Sequence, residues 1–224
     1  MQKRKTRKMR RRQRNVRLGL LILVLVFAAA GGARLLGGKW FGGYFERTGD
    51  QVDASRPEMD VELLTVNPYS RPGTKTDRIK GIVVHYTSNP GATAMANRNY
   101  FEGLKDSHAT RSSSNFIVGL EGEIIQCVPT WEVAYASNDR NHDTVSIECC
   151  HPDESGKFTD ATYRSAVQIC AWLCLKFDLG PEDVIRHYDV TGKDCPRYFV
   201  QHEDAWEAFR ADVGKALEKS REES

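Results

Sequence analysis

Apolar residues divide the chain into one long run near the N-terminus and, after residue 60, an alternation of short apolar segments with polar ones. Leu18–Ala33 contains sixteen residues without a charged or strongly polar side chain. Arg34 interrupts this run, and apolar residues then continue to Gly38. Counted through Gly38 the run has 21 residues, and about 20 are needed to span a membrane as a helix. The pattern predicts a transmembrane helix over 18–38.

From residue 61 onward, β-branched runs alternate with segments of helical periodicity. The β-branched and aromatic runs predict strands, at 79–86, 116–118, 124–128, 144–150 and 184–186. Apolar residues three and four positions apart predict helices over 94–104, from an N-cap at Thr159 to Phe177, and over 201–219. Strands alternating with helices are typical of a sheet covered by helices. We therefore expect a single α/β domain, with a central mixed β-sheet flanked by helices, preceded by the N-terminal transmembrane helix.

Charge is segregated along the chain in a way that the net value of +2 conceals. Residues 1–17 carry ten of the 32 Lys and Arg side chains and no acidic side chain. After residue 38, 21 basic side chains stand against 30 acidic ones, so the globular part is acidic. A nucleic-acid-binding domain carries its positive charge on the folded surface. We therefore expect no nucleic-acid partner.

The basic head also predicts the topology, because Lys and Arg beside an apolar segment keep that flank in the cytoplasm. The chain then divides into a cytoplasmic head (1–17), a signal-anchor (18–38), a stalk (39–60) and an extracytoplasmic domain (61–224). This arrangement is that of a single-pass protein of the cell membrane. Two alternatives remain open. A signal peptide cleaved after Ala28–Ala30 releases the same domain as a secreted protein, and a basic tail can also precede a buried core helix.

Five polar side chains lie at predicted strand ends or in the loops after them, where ligand sites form in α/β sheets: His85, Glu148, His187, Lys193 and Cys195. Glu148 is unusual because it stands between Ile147 and Cys149 in an apolar strand. A carboxylate is costly to bury there unless it is paired or functional. Taken alone, each of the other four has an ordinary structural or solvated role.

The segment RHYDVTGKDCPRYF (186–199) favours a functional role for these residues. It places His187, Lys193 and Cys195 in one loop, and Pro196 stiffens the backbone after the cysteine. Two imidazoles, with His85 as the second, and one thiolate are three of the four ligands of a tetrahedral Zn²⁺. A fourth position left open for water is the pattern of catalytic rather than structural zinc.

These motifs resemble those of the zinc-dependent N-acetylmuramoyl-L-alanine amidases, a family that includes phage lysozyme-type amidases and catalytic peptidoglycan recognition proteins. The resemblance runs from about Asn67 to Phe199. Its specific parts are IVVHYT (82–87), NFIVGLEGEIIQCVP (115–129), TVSIECC (144–150) and RHYDVTGKDCP (186–196).

The resemblance implies a site and a substrate. It implies that His85, His187 and Cys195 bind Zn²⁺, that Lys193 stabilises an oxyanion, and that Glu148 is the general base. The implied substrate is peptidoglycan, cleaved at the amide between N-acetylmuramic acid and L-alanine. Two other functions stay open, a peptidoglycan-binding module without activity and a zinc hydrolase of another amide. Non-cutting relatives commonly lack the third ligand, so the presence of Cys195 counts against the first.

The chain departs from the family at two places. Phage members carry a catalytic Tyr where this chain has Ser113 and Ser114, so any role of that Tyr falls to Glu148 or is absent. Many relatives have a His where Asn115 stands.

Other ligand-type side chains are expected to be structural. Four histidines are expected on the surface or in loops, namely His108, His142, His151 and His202. Asp189 is the most plausible substitute ligand. If Cys195 binds zinc, five cysteines remain, an odd number that cannot all pair within one chain, and we expect them as buried thiols: Cys127, Cys149, Cys150, Cys170 and Cys174.

Overall fold

The structure is a computed structural model that describes residues 52–222. The predicted head (1–17), the predicted membrane anchor (18–38) and the first part of the predicted stalk lie outside these residues, and the anchor stays a prediction. Within the described residues, no helix has both the length and the apolar character needed to cross a membrane.

The described residues form six strands and five α-helices. The strands are β1 (Asp60–Val61), β2 (Gly81–Tyr86), β3 (Phe116–Val118), β4 (Ile124–Gln126), β5 (Thr144–Cys149) and β6 (Val184–Arg186). The helices are α1 (Ala94–Ser107), α2 (Asp160–Phe177), α3 (His187–Thr191), α4 (Arg197–Gln201) and α5 (Glu203–Glu222). Two 3₁₀ turns precede β5 and β6, at Asn138–Arg140 and Pro181–Asp183.

The six strands form one sheet in the order β1-β4-β3-β5-β2-β6. β3 and β4 are antiparallel, as the predicted hairpin requires, and the other neighbouring strands are parallel. The expected α/β domain with a mixed sheet flanked by helices is therefore confirmed. All six residues of β2 are buried. Such burial on both faces explains why its sequence is a continuous apolar run up to His85 and shows no alternation.

Helix α1 covers one face of the sheet. Its apolar residues Ala94, Phe101 and Leu104 belong to a buried cluster that includes Ile117 of β3. The helix begins at the N-cap Thr93, whose side chain accepts a hydrogen bond from the N–H of Ala96. The polar residue on the apolar face, Asn97, is buried because its amide donates to the Thr93 carbonyl and the Cys150 sulfur.

Helices α2 and α5 pack on the opposite face. The ring of Phe116 in β3 meets the ring of Trp172 in α2 at a centroid distance of 6.3 Å. Tyr163 of α2 packs against Phe209 of α5 and donates a 3.0 Å hydrogen bond to buried Asp212. The predicted N-cap of α2, Thr159, is confirmed, since its side chain accepts from the N–H of Thr162.

The chain before β1 also packs against this second layer. Val52 and Ala54 are buried, and the N–H of Ala54 donates to Oγ of Ser220 in α5 over 2.7 Å. The guanidinium of Arg56 lies 6.0 Å from the centre of the Trp172 ring. The folded domain therefore includes residues that the sequence pattern assigned to the stalk. The pattern did not reveal them, because their apolar positions are too few and too widely spaced to show a period.

Candidate metal centre and active site

The parallel pairing of β2 with β5 places the first two candidate residues side by side. His85 is the register partner of Glu148, and Glu148 is in turn the register partner of Ile117 in β3. Residues in register on neighbouring strands project from the same face of a sheet. Because Ile117 belongs to the cluster beneath α1, His85 and Glu148 lie on the α1 face, at the carboxyl ends of their strands.

Strand β6 brings the second histidine to the other side of β2. Arg186 is the register partner of Val84, and His187 follows it as the first residue of α3. The centroids of the His85 and His187 rings are 4.7 Å apart, with an angle of 62° between the ring planes. His187 is thus held next to His85 by sheet pairing.

The Arg186 side chain fixes the start of α3. Its guanidinium, although buried, donates to both carboxylate oxygens of Asp189, at 2.9 and 3.2 Å, and to Glu203 at 2.6 Å. It lies between the rings of Tyr188 and Trp206, 5.2 and 5.4 Å from their centres. One oxygen of Asp189 also accepts from the N–H of Arg186. Asp189, expected as the most plausible substitute ligand, is instead committed to this ion pair, and it is not in the ligand cluster.

The loop after α3 completes the cluster. Gly192 ends the helix with φ of 77°, a left-handed conformation that glycine adopts without strain. The chain then turns back, and the Cys195 carbonyl accepts from the N–H of Tyr188 at 2.9 Å. The Cys195 sulfur lies 3.8 Å from Nδ1 of His85. One ligand atom each from His85, His187 and Cys195 all lie within 4.8 Å of one another.

This donor set fits zinc. Two imidazoles and one thiol converge in buried positions, which are three of the four ligands that zinc usually takes. The far ring nitrogens are also occupied. Nε2 of His85 lies 3.2 Å from Oγ of Ser137, and Nε2 of His187 lies 2.9 Å from Oδ1 of Asn138. Neither contact was predictable from the sequence, because nothing in a short polar segment indicates which imidazole it will meet.

Burial and charge set the protonation of the ligands. Burial lowers the pKa of His85 well below its ordinary value, and the nearby charges of His187 and Lys193 act in the same direction. Burial and Lys193 likewise lower the pKa of His187. The imidazoles are therefore neutral at neutral pH, as metal binding requires. Burial, followed by the charge of Glu148, raises the pKa of the Cys195 thiol to about 12 in the absence of metal. A metal must displace that proton.

Glu148 and Lys193 lie beside the ligands. The Glu148 side chain is partly exposed, but its Oε2 is shielded from solvent and has no hydrogen-bond partner. Burial raises the pKa of Glu148 to about 8, while the positive charge of Lys193 lowers it. Lys193 itself is exposed in the loop, and its charge acts on both histidines, on Glu148 and on Cys195. The structure thus groups His85, His187 and Cys195, places Glu148 in register with His85, and leaves Lys193 in the loop two residues before Cys195.

The residues at which this chain departs from the family pattern have structural roles. Ser113 and Ser114 are buried; Oγ of Ser113 accepts from the Tyr135 N–H, and the Ser114 hydroxyl donates to the backbone carbonyl of Ser146. Asn115 is buried too, with its amide donating to carbonyls of the following loop and its Oδ1 accepting from Ser146. These side chains hold the sheet to the loop before β5.

The remaining histidines lie outside the cluster. His142 and His202 are exposed, and His108 stacks on Tyr69 at a centroid distance of 4.3 Å. His151 lies in the loop after β5, which is one of the two expected positions. It is buried against Tyr86, and its Nδ1 lies 2.7 Å from the Asp153 carbonyl. All six cysteines are buried and free, which agrees with the expected thiols.

Comparison with known proteins identifies the family. The sequence pattern of the N-acetylmuramoyl-L-alanine amidase family matches residues 75–198, more than half of the chain and all five site residues. The chain belongs to this family.

The relatives are bacterial. A probable N-acetylmuramoyl-L-alanine amidase of Bacillus licheniformis is 36% identical over 167 residues, which are 69% of this chain and 47% of that protein. N-acetylmuramoyl-L-alanine amidase BlyA of Bacillus subtilis (strain 168) is 33% identical over 183 residues, 70% of this chain and 48% of that protein. The chain thus spans about half the length of the curated relatives it matches.

Solved structures give the same fold. The structure of PlyL superposes with a TM-score of 0.61 at 25% identity, covering 71% of this chain and 99% of that one. The catalytic domain of XlyA superposes with a TM-score of 0.60 at 27% identity, covering 70% of this chain and all of that one.

A first prediction concerns the ligands. The purified chain should hold one zinc ion, and Cys195→Ser should lose most of it, because an alcohol is a far poorer ligand than a thiolate at neutral pH. Cys174→Ser is the matched control, since this buried thiol lies outside the cluster and donates to the Gly180 carbonyl, as a serine hydroxyl also would. Elemental analysis measures the metal. Stoichiometric zinc in Cys195→Ser would show that another residue supplies the third ligand.

A second prediction concerns the pH dependence of stability without metal. Because the Glu148 pKa is raised, the protonated carboxyl stabilises the fold below pH of about 4.5, and this contribution is lost as pH rises to about 8. Glu148→Gln cannot ionise. Its stability relative to wild type should therefore increase between pH 5 and 8 by roughly 3 kcal/mol. Urea unfolding of both proteins in the presence of a chelator measures this difference in stability. The histidines are the same in the variant and in wild type, so their opposite contribution cancels in the difference. A difference independent of pH would contradict the raised pKa.

Proposed function

We propose that this chain is a zinc-dependent amidase that hydrolyses the bond between N-acetylmuramic acid and L-alanine in peptidoglycan. The observation that carries the proposal is the position of Glu148. A carboxylate with a shielded, unpartnered oxygen stands in register with a histidine of a His-His-Cys cluster. The printed names of the relatives, which are N-acetylmuramoyl-L-alanine amidases, support the substrate.

His85, His187 and Cys195 would hold the zinc ion. When bound, zinc supplies a Lewis acid that polarises the amide carbonyl and lowers the pKa of water. Glu148 accepts a proton from the water that attacks the carbonyl carbon. Glu148 must be ionised to accept this proton, and the positive charges of Lys193 and of the bound zinc would favour the ionised form against the effect of burial. Glu148 then gives this proton to the leaving nitrogen as the carbon–nitrogen bond breaks. The products are the free lactyl carboxylate and the amino group of L-alanine.

Lys193 stabilises the negative charge that develops on the carbonyl oxygen. Its exposed ammonium has no carboxylate in a salt bridge among the described residues, and its charge already acts on the cluster. A compact cation aimed at a developing oxyanion contributes on the order of 3 kcal/mol to the transition state. Glycine at 192 lets the loop turn so that Lys193 follows α3 directly.

A peptidoglycan-binding module without activity is less compatible with this site. Binding alone gives no reason to bury an unpartnered carboxylate oxygen beside metal ligands, because that burial is costly. A zinc hydrolase of another amide would use the same residues. The product analysis below distinguishes these possibilities.

The expected kinetic effect is separable from metal binding. Glu148→Gln keeps the shape and removes the proton acceptor, whereas Lys193→Met keeps the stem and removes the charge. Both variants should retain zinc, and each should lose about 10²-fold or more in turnover. The measurement is the release of L-alanine amino termini from purified peptidoglycan, followed by mass analysis.

Two exposed residues provide controls. Lys80→Met removes a lysine before the opposite end of β2, and Glu121→Gln removes a carboxylate in the β3–β4 turn. Both should turn over like wild type. Full activity of Glu148→Gln and Lys193→Met at saturating zinc would refute the assigned roles. New reducing sugars in place of amino termini would refute the amidase itself.

We further propose that residues 18–38 anchor the chain in the cell membrane and that the domain lies outside the cytoplasm, where peptidoglycan is found. The ten basic residues of 1–17, followed by the apolar run, support this topology. A reporter active only outside the cytoplasm, fused after Ser224, should be active. A stable but inactive fusion would refute the topology, and the mass of the membrane-bound product distinguishes an anchor from a cleaved signal.

A further inference from the structure

Both candidate imidazoles contact one short turn. The turn before β5 begins at Ser137 and continues through the 3₁₀ segment Asn138–Arg140. Oγ of Ser137 lies 3.2 Å from Nε2 of His85, and Oδ1 of Asn138 lies 2.9 Å from Nε2 of His187. Two consecutive side chains thus reach two histidines that are 102 positions apart in the chain.

The Asn138 contact determines which ring nitrogen of His187 carries the proton. An amide oxygen can only accept a hydrogen bond, so Nε2 must be the donor. The neutral imidazole then has its lone pair on Nδ1. The same holds for His85 when Ser137 accepts, and Nδ1 of His85 is the nitrogen that faces the Cys195 sulfur, at 3.8 Å. Both imidazoles are thereby prepared to bind a metal through Nδ1.

The turn is held in place independently of the histidines. Oδ1 of Asn141 accepts from the backbone N–H groups of Ala136 and Ser137. The Thr144 hydroxyl donates to the Arg140 carbonyl over 2.6 Å, which ties the turn to the first residue of β5. The backbone that carries the two acceptors is therefore held in place by contacts that do not involve the histidines.

The backbone of Asn138 points to the same conclusion. Its φ is 51°, in the left-handed region, which asparagine enters more readily than most other residues. The residue is exposed, so no packing requirement explains a side chain larger than that of glycine. Asparagine meets both requirements of this position, since it tolerates the backbone conformation and provides an acceptor for His187.

We infer that Ser137 and Asn138 are positioning residues that orient His85 and His187 through Nε2 and so present Nδ1 of each to the metal. The inference rests on the proposed zinc centre and extends it. Partners of this kind on metal-binding histidines typically change metal affinity by 10- to 100-fold when they are removed.

Asn138→Gly is the sharpest test, because glycine keeps the positive φ and removes only the acceptor. Asn138→Asp keeps an acceptor oxygen for Nε2 of His187. Asp139→Ala is the matched control in the same turn, since its exposed side chain contacts neither histidine. Zinc affinity of the purified full chain is measured by competition with a chromophoric chelator, and the visible spectrum of the Co²⁺-substituted chain reports the ligand geometry.

We expect Asn138→Gly and Ser137→Ala each to weaken zinc binding by 10- to 100-fold and to change the Co²⁺ spectrum. Asn138→Asp should restore the affinity, and Asp139→Ala should match wild type in both measurements. Wild-type affinity and an unchanged Co²⁺ spectrum in Asn138→Gly would overturn the inference while leaving the zinc centre intact. If the wild-type chain bound no zinc, the proposed centre would fail, and the inference with it.

Discussion

The site depends on the parallel pairing of β2 with β5 on one side and with β6 on the other. This pairing places His85 beside Glu148 and brings His187 to the same end of the sheet. A slip of one residue in either pair would turn a candidate side chain to the opposite face. β2 is buried along its whole length, so apolar packing resists such a slip. The hydrophobic core thus fixes the polar site as well as the fold.

Low solvation gives the site its chemistry. Desolvation is the largest influence on the pKa values of both histidines, of Glu148 and of Cys195, and in every case it favours the neutral form. A pocket of neutral ligands beside one exposed lysine suits a divalent cation, because the metal supplies the positive charge that the thiolate and the carboxylate need. A metal that binds there would offset the cost of burying these polar groups.

Sequence patterns predicted the elements with strong local signals. β2 and β5 have β-branched runs, and α2 has both an N-cap and a clear period. They did not predict β1, a two-residue exposed strand defined only by its pairing with β4, or α3, which is five residues long. The predicted helix over 201–219 starts instead at Glu203, because the chain departs from helical geometry at His202.

The site residues that lie at strand ends could be predicted from the sequence. Parallel strands carry their carboxyl ends to one edge, which is why His85, Glu148 and His187 lie near one another. The partners of the histidines were not predictable, because the contact of Ser137 with His85 joins residues 52 positions apart in a loop without a period. The ion pair of Asp189 with Arg186 was easier to predict from the sequence, since the two residues are three positions apart at the start of a helix.

The docking of residues 52–56 has a mechanical consequence. These residues are attached to Ser220 and Trp172, on the sheet face opposite to His85 and Glu148. A force pulling on the chain before Val52 would first load these contacts with α2 and α5. The load would thus enter the domain on the face of the sheet opposite to the candidate ligands.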